Sequence, residues 1–354
     1  MAGLKFAYVG CGGMGQGVHI PNFATIPDVE LVALAEMRPK LGELVQKRWG
    51  FRKLYRSHLD LVKDTEVEAV GVSAGMTAQG EIARDLARAG KHVFMEKPMA
   101  ISVAQAEGML EASQAGGGRV MVAYMKRYDA GNEIAKERID AFARDGSMGR
   151  PFYARQHGFC GDWLAAFDWS GALATDEPYP PGPEERYPDW LPEAMRRVYI
   201  DYLQQWTHNL NLLRWFLDTG DEVKVSWVSL DGYTGVVGFD MKGVRAIIES
   251  GGVCYHGWEE HTQVYFPKGW VRVASPPLLL KNVPAEVEIY RAGEVAEYRH
   301  PVPPWSWAYR REAEFFVDAV INNKPFRSSA EDTLTDVRLF EEVFRIRVKQ
   351  LDAE

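Results

Sequence analysis

The sequence predicts an α/β protein of two domains: a doubly wound parallel sheet over residues 1–126, then an α/β domain over 127–354 built on an open, mainly antiparallel sheet. Three observations lead there. A chain of 354 residues is too long for one ordinary hydrophobic core. Up to about residue 124, short β-rich runs alternate with helical segments, the pattern of βαβ units. From Val223 to Tyr298, strand-like runs follow one another with turns but no helices between them, as in an antiparallel sheet.

In chain order, Phe6 to Gly10, Glu30 to Glu36, Val67 to Val72, His92 to Glu96 and Arg119 to Tyr124 read as strands, with helices such as Thr77 to Ala89 and Val103 to Ala115 between them. A helix follows Asp129 as far as Ala143, then a strand from Arg150 to Gly158. Residues 160–197 form a long irregular insertion, where Pro178, Pro180, Pro181, Pro183, Pro188 and Pro192 interrupt any helix. Trp163, Phe167, Trp169, Tyr179, Tyr187 and Trp190 crowd into it, either anchoring a loop to the core or a neighbouring subunit, or walling a ligand pocket. Helix resumes at Tyr199 to Leu217, the strand-like runs turn at Asp231-Gly232, Gly251-Gly252 and Lys268-Gly269, and Trp307 to Ile321 and Ala330 to Val348 are amphipathic helices.

Composition excludes several classes. A formal charge of -8 argues against a nucleic-acid partner, whose phosphates call for clustered Lys and Arg. Three cysteines without paired spacing fit neither a disulfide framework nor a zinc site, so no metal is expected. The first residues run straight into a strand pattern, and no apolar run approaches membrane-spanning length, so the expectation is a cytoplasmic protein with no membrane partner.

The glycines of Gly10-Cys11-Gly12-Gly13-Met14-Gly15 stand in G-x-G-x-x-G spacing between the first strand and the first helix. The first allows the tight turn, the second lets backbone approach a pyrophosphate, and the third lets helix pack on strand. The helix N-terminus adds free N–H groups and positive partial charge. Glu36 ends the second strand about 20 residues on, the place for a carboxylate that binds the adenosine ribose hydroxyls. This order of strand, glycines, helix, strand and acid predicts a Rossmann dinucleotide site, with Gly10, Gly12, Gly13, Met14, Glu36 and Ser73 against the cofactor. Glu36 repels a 2′-phosphate and favours NAD over NADP, although Arg38 is able to pair with such a phosphate if Glu36 turns away.

The run His92-Val93-Phe94-Met95-Glu96-Lys97-Pro98 carries a strand into a Glu-Lys-Pro turn at the carboxyl edge of the sheet, where ligands of open α/β sheets bind. With this run, the glycine turn, Lys126-Arg127-Tyr128, the Gly149-Arg150-Pro151 strand entry and His208 to Gly220, the sequence resembles the Gfo/Idh/MocA oxidoreductases, named for glucose-fructose oxidoreductase and inositol dehydrogenase. The resemblance implies that Lys97 contacts the nicotinamide ribose and the reacting hydroxyl, and adds Glu96 to the cofactor site. A lysine beside a cationic nicotinamide has its ammonium form disfavoured, which suits it to proton transfer.

On the helix from Tyr199, Asp201, Gln204, His208 and Asn211 recur at intervals of three and four residues and so share one face. In the resembled family this helix presents an Asp and a His one turn apart, then an Asp three residues later, to the substrate. His208 matches the histidine, whereas Gln204 and Asn211 replace the two acids, leaving Lys97 and His208 as the acid/base candidates. Tyr124, Arg127, His157 and Trp163 complete the expected pocket. The resemblance implies NAD-dependent hydride transfer at a secondary hydroxyl of a carbohydrate, glycoside or cyclic polyol, in a homodimer or homotetramer joined through the open sheet. Two alternatives are a permanently bound NAD that assists elimination or glycoside cleavage, and a non-catalytic sensor of NAD or a metabolite.

Overall fold

The computed structural model describes residues 3–164, 167–180, 185–254 and 257–353. Pro181 and Pro183, named above as helix breakers, lie outside them. The chain forms two compact units, one from residues 1–124, 168–188 and 309–337, the other from 125–167, 189–308 and 338–354.

The first unit holds a parallel sheet of β1 (Leu4–Val9), β2 (Val29–Ala35), β3 (Lys53–Tyr55), β4 (Ala69–Val72), β5 (His92–Glu96) and β6 (Val120–Ala123), in the order β3-β2-β1-β4-β5-β6. β4 and β6 are wholly buried and β1 and β5 nearly so, which is why they read as continuous apolar runs rather than alternating ones. A π-helical turn, Gly15–His19, leads into α1 (Ile20–Ala24), followed along the chain by α2 (Pro39–Trp49), α3 (His58–Lys63), α4 (Met76–Arg88) and α5 (Val103–Gly116). The strand order reverses between β1 and β4, so the crevice at their carboxyl ends is where such a sheet takes its ligand. The turn after β1 carries the glycines, and the turn after β4 carries Ser73. β3 is a three-residue edge strand, too short to show a pattern in the sequence.

The second unit holds α6 (Ala130–Asp145), α7 (Arg196–Leu217) and an eight-stranded sheet. Its strands are β7 (Tyr153–Cys160), β8 (Val223–Asp231), β9 (Thr234–Met241), β10 (Val244–Gly252), β11 (Trp258–Phe266), β12 (Gly269–Ala274), β13 (Glu286–Arg291) and β14 (Glu297–Arg299). All neighbours are antiparallel except β7 and β10, which run parallel. Asp129 caps α6, its carboxylate accepting from the N–H groups of Gly131 and Asn132. The expected turn at Gly251-Gly252 does not form there: β10 continues through both glycines, paired with Phe159 and Cys160 of β7. The last helices are α8 (Ala308–Ile321) and α9 (Ala330–Leu351). No helix among the described residues is long and apolar enough to cross a membrane, and the three cysteines are free.

Candidate active site

At the glycine turn of the first unit, Gly10 has φ of 92°, and a Cβ on it would lie 2.6 Å from the Ser73 carbonyl oxygen. No L side chain is accommodated there. A Cβ on Gly15 would meet the Gly10 carbonyl oxygen at 2.5 Å, so helix and strand close directly on each other. A Cβ on Gly12, by contrast, would find no atom within 4 Å. Gly12 thus presents bare backbone to open space at the start of the helix, which fits the close approach of a pyrophosphate. Ser73 donates its N–H to the Val9 carbonyl oxygen (3.0 Å) and so fastens the β4 turn to the end of β1. Met14 is half-buried.

Glu36 is buried, and both its oxygens are engaged. Oε2 accepts from the Cys11 backbone N–H at 2.7 Å, and Oε1 accepts from Arg38 Nε at 2.8 Å. Burial pushes its pKa up, but the Arg38 guanidinium and these N–H groups outweigh that and hold it below the ordinary glutamate value, so the carboxylate is ionised. Arg38 therefore leans on the acid that the sequence set it against, and its guanidinium also lies 4.8 Å from the centre of the Tyr179 ring.

At the Glu-Lys-Pro turn, Glu96 and Lys97 divide. Glu96 faces into the unit, with Oε1 2.6 Å from His19 Nε2 and Oε2 accepting from the Lys97 backbone N–H at 3.1 Å. The end of β5 turns the Glu96 side chain into a polar cluster with His19, Tyr309 and Glu312. Lys97 stays half-buried on the edge, and burial lowers its pKa against the opposing pull of the Glu96 carboxylate. His19 and Glu312 are fully buried members that the sequence reading missed. Glu312 sits in Tyr-Arg-Arg-Glu, which reads as a solvated helix face; the i, i+3 spacing from buried Tyr309 is the one signal of its burial.

In the second unit, α7 carries His208 and Asn211 buried, while Gln204 is exposed. Asp201 accepts from Arg197 Nε, 2.7 Å away and one turn earlier. Arg127 is buried and donates from a terminal nitrogen to the Asn211 carbonyl oxygen at 3.3 Å, tying residues 125–128 to α7. The structure also brings together a buried group that sequence reasoning did not find. Glu260 of β11 pairs with Lys126 and accepts from Asn209 Nδ2 of α7 (3.2 Å) and Gln156 Nε2 of β7 (3.3 Å).

The other expected pocket residues have different surroundings. His157 lies on the sheet face opposite α7: strand alternation sends Gln156 and Gly158 toward the helix, where a Cβ on Gly158 would meet the Trp206 ring at 2.6 Å. On its own face His157 bonds Glu249 through Nδ1 at 2.8 Å and stacks on His261. Tyr124, just after β6, lies in the first unit's apolar core. Trp163 is 39% exposed. Trp190 takes the anchoring role, its Nε1 donating to Glu341 Oε2 at 3.1 Å beneath the Arg345 guanidinium, 4.2 Å from the ring centre.

Residues 4–124 match the model of the Gfo/Idh/MocA oxidoreductase family, NAD-binding Rossmann fold. Over those residues the chain is similar to that family. The inositol 2-dehydrogenase of Salmonella typhimurium is 33% identical over 151 residues, which is 42% of this chain and 44% of the relative. The aldose-aldose oxidoreductase of Caulobacter crescentus shares the fold over 98% of both chains, with a TM-score of 0.72 at 22% identity. The scyllo-inositol dehydrogenase of Lactobacillus casei, solved with NAD(H) and scyllo-inositol, shares it over 97% of this chain and 96% of its own, with a TM-score of 0.69 at 19% identity.

Proposed function

We propose that the protein is an NAD-dependent dehydrogenase acting on a secondary hydroxyl of a cyclic polyol, sugar or glycoside. The observation that carries this reading is Lys97: an amine on the carboxyl edge of the sheet, after β5, its pKa lowered by burial. NAD, when bound, supplies the hydride acceptor. Gly12 and the helix start behind it offer backbone N–H groups to the pyrophosphate, and Glu36 offers a carboxylate to the ribose hydroxyls. Lys97, whose ammonium form burial disfavours, would take the hydroxyl proton of the carbinol and return it in the reverse direction. His208 is the second acid/base group, matched by position to the family histidine. The inositol dehydrogenase relatives favour a cyclic polyol as the first substrate to try. The aromatic open face of the second sheet, with Trp227 46% and Tyr298 66% exposed, supports assembly into a homodimer or homotetramer.

The test is a screen of inositols, aldoses and glycosides with NAD and with NADP, following reduced cofactor at 340 nm. Turnover with NAD on at least one polyol is the expected result. Cofactor binding without reduction of NAD by any of them would sink the dehydrogenase reading. A second reading, in which retained NAD assists elimination or glycoside cleavage, draws support from residues 168–180, which are held along the dinucleotide edge. Release of one NADH per substrate consumed excludes it.

A further inference from the structure

The middle of the long insertion is docked along the dinucleotide-binding edge of the first unit, with contacts on the glycine turn, on Arg38 and on both ends of α2. The Trp169 ring covers Gly13, so closely that a Cβ there would lie 2.8 Å from it. The Gln16 side chain, one turn into the helix after the glycines, exchanges two hydrogen bonds with the Leu173 backbone, at 3.0 and 2.9 Å. Arg48 of α2 donates to the Gly171 carbonyl oxygen. Further along, Glu177 caps α2: its oxygens accept from the Lys40 and Leu41 backbone N–H groups, each at 2.9 Å, while Thr175 Oγ1 donates to Oε2 at 3.0 Å. Tyr179 then stacks on Arg38.

The loop from β2 into α2 is where a Rossmann site distinguishes its two cofactors. An acid there binds the ribose 2′-hydroxyl of NAD, and an arginine accommodates the 2′-phosphate of NADP. The free N–H groups of a helix start are the other partners such a phosphate would take. Here both are already engaged by carboxylates of the same chain. Glu36 holds Arg38, and Glu177, reaching in from the insertion, holds the α2 N–H groups. An incoming 2′-phosphate would have to displace one carboxylate and lie beside the other, at a cost of charge repulsion.

We propose that residues 168–180 are a strap that sets cofactor choice, with Glu177 as an internal anion occupying the α2 N-terminus and so excluding NADP. The proposal rests on the dinucleotide-binding reading above and goes beyond it by assigning specificity to a residue far from the fingerprint. The test compares dissociation constants of NAD and NADP by calorimetry, without substrate, for the wild type, Glu177→Gln and Asp176→Asn. Asp176 lies on the same strap, is 86% exposed in its side chain and accepts from the Lys40 amine at 3.0 Å.

The wild type is expected to bind NAD more tightly, and Glu177→Gln to bind NADP about tenfold more tightly than the wild type does, the scale of one charge–charge interaction near a protein surface. Asp176→Asn should change NADP affinity less than threefold. Three results overturn the strap: wild-type preference for NADP, an unchanged NADP constant in Glu177→Gln, or an equal gain in Asp176→Asn, which would reduce the effect to net charge. Wild-type protein that binds neither cofactor defeats the underlying reading instead, so the two failures are distinguishable.

Discussion

Glu312 gives the most direct physical test of the first unit. It is fully buried, no partner for either carboxylate oxygen is present among the described residues, and the Glu96 carboxylate is part of its surroundings. Burial, and secondarily Glu96, raise its pKa well above 4.5, so it stays protonated in the folded state at pH values where it is ionised in the unfolded chain. The folded state then binds one more proton than the unfolded state. Stability must therefore fall as pH rises above the unfolded value, by about 1.4 kcal/mol per pH unit, until the folded pKa is reached. Glu312→Gln keeps the volume and removes the titration. The variant's stability should gain on the wild type by about 1.4 kcal/mol between pH 5 and pH 6, which is about 3–5 °C in melting temperature for a unit of this size. Differential scanning calorimetry at both pH values, in buffers of matched ionic strength, measures that widening gap. Parallel curves for the two proteins would refute the reasoning, whatever the constant offset between them, because an offset reports packing and only the slope reports the proton.

Lys97→Met should lower turnover by about 10²–10⁴-fold while keeping NAD affinity within threefold, as expected for a positioned acid/base group; near-normal turnover in a folded variant would make Lys97 an ordinary loop lysine. Trp190→Ala should cost about 2–4 kcal/mol of stability from the lost ring contacts, the Glu341 hydrogen bond and the Arg345 stacking, read as a lower thermal midpoint. A raised KM for substrate with no loss of stability would return Trp190 to the pocket.

The parallel sheet was legible because its strands are buried on both faces and its glycine turn is local in sequence. Gly10, Gly12 and Gly15 need only their neighbours to declare a βα corner. The side chains that act through tertiary contacts were harder to read. For His157 a single step along β7 decides the face, and the sequence does not say which face α7 covers. Glu260 and Glu312 look like surface acids in their own segments, yet Glu260 is buried against β7 and α7, and Glu312 is buried near the Glu96 carboxylate. The insertion's docking was invisible for the same reason. Glu177 finds the α2 N-terminus 136 residues earlier in the chain, and no local pattern marks such a pair.

The first unit is assembled from three stretches of chain, and that has a practical consequence for anyone wishing to excise or transplant it. Phe316 lies against Phe23 and Phe94 in its core, Arg119 stacks on Phe326 (4.6 Å), and β6 has its outer edge satisfied by Ser328, whose carbonyl oxygen accepts from the Val122 N–H at 2.9 Å. A recombinant fragment ending at residue 126 would leave aromatic rings bare and a strand edge open to self-association. An expression fragment intended to bind cofactor alone would have to carry residues 309–337 as well, joined by a linker, and a chimaera that exchanges only the N-terminal third inherits a seam through the middle of a hydrophobic core.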